Sequence, residues 1–132
     1  MSSNKPKKFP QWLTLSKKYR TPNGNVYIRV LVDEEGRPVR VFIDAGKNGE
    51  VSFAASFALA AVVGTGLRAG IPVREIWWDL IGHTQNGLNS LVHDASSVPD
   101  ALGRFLRSHF DPEGVESERV LRLVQGDEQR SA

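Results

Sequence analysis

The residues with the most obvious chemistry lie in one short loop and along one alternating stretch. Gly46, Lys47, Asn48 and Gly49 stand just before a long apolar run that reads as helix. Backbone N–H groups at a helix start lack partners, and a lysine beside them adds positive charge, so such a loop favours phosphate or carboxylate. It is not a Walker A loop, which needs G-x-x-x-x-G-K-[ST]. The alternative reading is a tight turn with a solvated lysine. Arg68, at the far end of the same apolar run, joins this candidate anion or nucleotide site. So do His83, Gln85 and Asn86, which follow the next helical pattern. A histidine just past a helix end is also a common cap on the last carbonyls.

A second set of residues suits nucleic acid. Tyr27, Arg29, Arg40 and Phe42 fall on one face of two alternating segments, mixing rings that stack on bases with cations that meet phosphates. Lys7, Lys8, Lys17, Lys18 and Arg20 add positive charge upstream. The plainer reading of that face is an outer sheet surface covered by long side chains, or one packed on a neighbouring subunit.

Catalytic patterns are missing. The 132 residues contain no cysteine and three histidines, which excludes disulfides, thiolate metal sites and cysteine nucleophiles. His83, His93 and His109 lie at no metal-ligand spacing. Glu75 and Asp79 are four residues apart, but with Arg74 and Arg68 nearby they read as a solvated, salt-bridged face. No Ser-His-Asp order, G-x-S-x-G elbow or H-E-x-x-H motif occurs. A non-enzyme with no cofactor and no metal is expected.

The elements that must position these residues follow from periodicity. A first strand is expected over 12–20, and Thr21-Pro22-Asn23-Gly24 has turn chemistry. Val26, Ile28, Val30 and Val32 alternate with Tyr27, Arg29 and Leu31, and Val39, Val41 and Ile43 with Arg40 and Phe42. This predicts an antiparallel hairpin with a Val/Ile core face. Helices are expected near 51–69, 72–82 and 98–110. In the first, Phe53, Phe57, Ala60, Ala61 and Leu67 share a stripe, with Leu59, Val62 and Val63 beside it, so burial on most sides is expected. In the second, Val73, Ile76, Trp77, Leu80 and Ile81 form the apolar stripe. Trp78 lies off it, which places it at the surface or in an interface. Ser97-Val98-Pro99-Asp100 reads as a capping box opening the third.

Charge divides the chain. Six bases and no acid occupy 1–20, while six acids and three bases occupy 111–132, around a nearly neutral body. The expected domains are a flexible basic arm at 1–10, a folded body at 11–110 and an acidic tail at 111–132. The polar start lacks a secretory pattern, and the uncharged stretch Val51–Leu67, at 17 residues, is short for a bilayer span of about 20. A cytoplasmic protein without a membrane partner is expected.

The runs NVYIRVLVDEEGRPVRVFIDAGKNGE, FALAAVVGTGLRAGIPVREIWWDLIGH and SSVPDALGRFL, in that order over roughly 20–110, resemble the TSCPD domain. That family is known from the C-terminal end of cobalamin-dependent ribonucleotide reductases and as small stand-alone proteins. Gly46, Lys47 and Gly49 match its Gly-Lys-x-Gly turn. Leu67, Arg68, Gly70, Ile71 and Pro72 match the end of its first helix, and Ser96-Ser97-Val98-Pro99-Asp100 its namesake motif. Two positions depart. Val98 replaces the namesake cysteine, so metal binding suggested for cysteine-bearing members does not carry over. Ala61 stands near a position that usually holds arginine.

The resemblance implies an α+β fold, with an antiparallel sheet of two or three strands against two to three helices. It implies a non-catalytic accessory or binding module linked to nucleotide metabolism, with ribonucleotide reductase as a candidate partner. A second expectation is an oligomer that binds a nucleotide-derived or other phosphate-bearing small molecule at subunit interfaces. A third is a nucleic-acid-binding protein that uses the basic arm. The apolar first helix on so small a body predicts a homodimer or larger symmetric oligomer burying that helix, and Trp78 with it.

Overall fold

The computed structural model describes residues 13–45, 49–81 and 92–113. The chain runs through β1 (Thr14–Thr21), β2 (Gly24–Val32), β3 (Pro38–Asp44), α1 (Gly49–Arg68), α2 (Val73–Ile81) and α3 (Val98–Phe110). The strands form an antiparallel sheet in the order β1-β2-β3. This is the expected α+β fold, with three strands. The expected arm, and the tail beyond residue 113, lie outside the described residues.

Local chemistry explains the sheet. Thr21 pairs with Gly24, leaving Pro22 and Asn23 as a two-residue turn. Gly24 takes φ 118, where a side chain would be strained. Thr21 Oγ1 donates to the Gly24 carbonyl at 2.7 Å and accepts from the Asn23 N–H at 3.2 Å, tying the turn shut. The β2–β3 connection is held by Asp33, whose Oδ1 accepts from the N–H groups of Glu35 and Arg37, both at 2.9 Å.

The alternating residues sort as expected. Val26, Ile28, Val30, Val32 and Val41 are buried on the inner face, with Tyr19 from β1 beside them. The helices cover that face unequally. α1 packs along β3, while α3 crosses β1 and β2 and pairs with α2. Trp77, Ile81, Ala101, Leu102, Phe105 and Leu106 fill the space between sheet and helix pair. The Trp77 indole N–H donates to Asp111 Oδ2 at 2.8 Å, so its one polar group is satisfied where the ring is buried. Among the described residues no helix is long and apolar enough to cross a membrane.

Three details differ from the sequence expectation. α1 is not buried on most sides within one chain. Among its described positions Ser56, Ala60, Val63, Gly64 and Leu67 are buried, and Phe53, Phe57 and Val62 are exposed. With β3 at a sheet edge, α1 has one neighbour of consequence, so only a narrow stripe is covered. Trp78, expected at the surface or in an interface, is half-buried beside the core, edge-on to Trp77 at 5.8 Å between ring centroids. Arg74 pairs with Asp111, and Arg68 donates to a β3 carbonyl, so neither builds the expected salt bridges with Glu75 or Asp79. The capping box is offset. Ser97 caps α3 by accepting from the Asp100 N–H, but Asp100 returns the bond to Ser96 rather than to Ser97.

Candidate functional site

The outer sheet face carries most of the basic and aromatic residues singled out above. Register places Lys18 opposite Tyr27, which pairs in turn with Asp44. Arg29 lies opposite Phe42, and Leu31 opposite Arg40. Directly opposed residues share a face, so Lys18, Tyr27, Arg29, Arg40 and Phe42 stand on one surface. The Arg29 guanidinium lies over the Phe42 ring, 5.0 Å from its centroid, at cation–π distance. Among the described residues no carboxylate makes an ion pair with Arg29 or Arg40.

α1 turns this face into a groove. Phe53 and Phe57 stack at 6.5 Å between centroids and stand beside the β3 edge. With Tyr27, Arg29, Arg40 and Phe42 they line a cleft of about 400 Å³, floored by Ile43, Ala60 and Ala61. At Gly64 the helix runs close to the strand. A Cβ there would stand in ordinary contact with the Val41 nitrogen at 3.7 Å and Arg40 Cα at 3.8 Å, and would press on Arg68 Nη1 at 3.3 Å. The groove thus offers two guanidinium groups, four aromatic rings and one carboxylate, that of Asp44. Phosphate matches the guanidinium fork, and a planar base matches the ring faces.

The remaining candidates go elsewhere. Lys17 lies opposite Ile28, on the other sheet face, with its ammonium 5.0 Å over the Tyr19 ring. Arg20 is committed to Asp94. Its Nε and Nη2 donate to the two carboxylate oxygens, each at 2.9 Å, and its backbone N–H donates to Oδ2 at 2.9 Å. These bonds hold the Asp94 carboxyl well below the usual carboxylate range. Arg68 Nη1 donates to the Val39 carbonyl at 2.8 Å, bracing the end of α1 on β3 instead of facing a ligand loop. Gly49 opens α1. Gly46, Lys47, Asn48, His83, Gln85, Asn86, Lys7 and Lys8 lie outside the described residues.

A second cleft, of about 580 Å³, opens between α1 and the start of α3 over the β1–β2 turn. Thr21, Asn23, Ser56, Leu59, Ser97 and Val98 line it, with no charged side chain among the described residues. Asp100 lies behind it, fully buried, and accepts from the Ser96 N–H at 2.8 Å and from Arg104 Nε at 2.9 Å. Among the described residues no cluster of His, Cys, Asp or Glu is placed to hold a metal ion.

Sequence reasoning missed Phe53 and Phe57 as groove walls, because their four-residue spacing is the signature of a core stripe. The absence of any charge on the opposite side of the helix was the available signal that burial could not decide between the two sides. Compared with known proteins, residues 4–110 match the family model described as TSCPD domain, which is most of the chain. No curated protein and no solved structure matches.

Proposed function

The chain belongs to the TSCPD domain family, and on that premise we propose that it is a non-catalytic binding module for a nucleotide or similar phosphate-bearing aromatic molecule. The groove between the outer sheet face and α1 is the seat of that ligand. The observation that carries the reading is the convergence of Arg29 and Arg40 with Tyr27, Phe42, Phe53 and Phe57 in one cleft. A base slides between ring faces, and the guanidinium groups take the phosphates. Asp44 is the one carboxylate on the described lining, beside two guanidinium groups and four rings, and this composition supports holding a ligand over transforming it. An accessory role beside a ribonucleotide reductase fits this ligand class and the family.

Single-stranded nucleic acid is the second reading. Lys18 favours it, because the row Lys18–Tyr27 continues the basic and aromatic surface past the groove toward β1. Calorimetric titration with nucleoside mono-, di- and triphosphates, cyclic nucleotides and a single-stranded oligonucleotide separates the two. A mononucleotide bound by the wild type and lost in Arg29→Ala and Phe57→Ala supports the first. Binding confined to the oligonucleotide, steeply weakened by salt and by Lys18→Ala, supports the second. Equal affinities of wild type, Arg29→Ala and Phe57→Ala for every ligand would remove the groove from both.

A further inference from the structure

We propose that two copies of this chain pair through the outward face of α1, each copy covering the helix that the other leaves exposed. The inference goes beyond the ligand reading and does not depend on it.

The face is large and apolar. Phe53 and Phe57 are each 67% exposed and Val62 is 70% exposed. For rings of roughly 150–250 Å² each, the two phenylalanines alone leave roughly 200–335 Å² of ring surface in water. That already reaches the lower end of the largest patch on an ordinary monomer, roughly 300–600 Å². Val62 and the exposed alanines extend the patch toward the roughly 800 Å² per partner of a standard stable interface.

The face is also shaped for a helix. Ala54, Ala58, Ala61 and Thr65 recur at alternating spacings of four and three residues, which is the seam of paired helices. Small side chains there let two helices approach closely, with Phe57 and Val62 at the margins. From Val51 to Leu67 there is no charged residue.

The two polar groups at this face are turned to their own chain. Thr65 Oγ1 donates to the Ala61 carbonyl at 2.9 Å. Arg68 donates to the Val39 carbonyl at 2.8 Å and to Thr65 Oγ1 at 3.3 Å. Covering the helix face therefore leaves the Thr65 hydroxyl satisfied, while Arg68 sits at the helix end, where its remaining N–H groups can stay in water.

These features select a second copy as the occupant. A charged partner would bury its own charges against an uncharged ridge without compensation. A second copy offers an equally uncharged, small-residue ridge, and a two-fold axis sets the same patch against itself, the ordinary geometry of homodimers.

The test is the solution mass, measured without added nucleotide by light scattering and sedimentation equilibrium over a concentration series. The wild type should show twice its 14.6 kDa. Ala58→Glu and Ala61→Glu should fall to the monomer mass with unchanged far-UV circular dichroism, while Lys18→Glu, on the outer sheet face, should remain a dimer. Because the chain has no cysteine, oxidised Ala58→Cys or Ala61→Cys should give a covalent dimer, and Lys18→Cys should not. That measurement decides the matter if the glutamate variants unfold. A monomer at every concentration, an assembly larger than two, or a dimer indifferent to folded Ala58→Glu would overturn the proposal. Nucleotide titration of monomeric Ala58→Glu then reads the groove separately.

Discussion

The tightest place in the fold is the crossing of α2 and α3, and it makes a sharp mutational prediction. Gly103 sits inside α3 with α2 against it. A Cβ built there would lie 2.7 Å from Ile81 Cγ1, 3.0 Å from Leu80 Cβ and 3.2 Å from the Ile81 nitrogen. Carbon atoms in contact prefer about 3.5–4.0 Å, so the first gap is short by roughly 0.8 Å. Ile81 is buried, and one of the three atoms is backbone, so no side-chain rotation relieves the clash. The helices must separate. Overpacking costs about 1–3 kcal/mol, and with a backbone atom in the clash the upper part of that range, about 2–3 kcal/mol, applies. Replacing a mid-helix glycine by alanine returns about 0.8–1.0 kcal/mol of propensity. Gly103→Ala should therefore lose about 1–2 kcal/mol net, a fall in Tm of roughly 5–15 °C for a body of this size.

Gly66 provides the opposite case. A Cβ there meets Ile71 Cδ1 at 3.3 Å and Ile76 Cδ1 at 3.9 Å, both at the ends of flexible side chains. Gly66→Ala should keep most of the propensity gain and raise Tm by a few degrees, on the order of 1 kcal/mol. Thermal unfolding by far-UV circular dichroism, with urea midpoints at constant m, measures both variants. A Gly103→Ala protein as stable as wild type would refute the packing argument. So would a Gly66→Ala protein that loses as much as Gly103→Ala, because propensity and contact would then not be separable.

Two further perturbations probe the buried polar groups. Asp111→Ala removes the acceptor of the buried Trp77 N–H and should cost about 1–3 kcal/mol in urea unfolding; Arg74→Ala keeps that bond and should cost much less, and equal losses would contradict the assignment. Burial pushes the Tyr19 phenol up from 10.0 to about 12. The folded state thus holds that proton more tightly, so its contribution is complete below pH 10.0 and is lost as pH rises toward 12. In Tyr27→Phe, where Tyr19 is the remaining tyrosine, phenolate absorbance should appear near pH 12 when folded and near 10 in urea; a folded midpoint at 10 would refute the burial of that ring.

Legibility followed the range of the forces involved. The α3 start at Val98, its proline and its serine cap are local chemistry, and the expected span of 98–110 is the span of the helix. The inner face of β2 was equally legible, since Val26, Ile28, Val30 and Val32 have one place to go. Contacts between distant segments were not. Nothing near Arg20 in the sequence names Asp94, 74 residues away, yet their paired hydrogen bonds join β1 to the segment before α3. Likewise Trp77 and Trp78 are neighbours of the same type, and only the position of Asp111 decides how the first is satisfied. For α1, periodicity marked a helix correctly but could not choose its wet side, because apolar residues lie on both.

The namesake motif is where chemistry and folding are easiest to confuse. In this chain Ser97, Val98, Pro99 and Asp100 each have a structural task. Ser97 caps α3, and Pro99 occupies the first turn, where a missing N–H costs nothing. Asp100 is fully buried. It binds the Ser96 N–H and Arg104, fixing how the chain turns into the helix. Val98 packs against the core from the position of the family's cysteine. With no thiol, that segment keeps its shape through caps and packing, and it borders a cleft whose described lining carries no charge rather than the basic one. The guanidinium groups and rings suited to a phosphate-bearing ligand stand across the sheet, on the face the motif does not touch. Retaining the motif's architecture therefore preserves the fold that holds the groove.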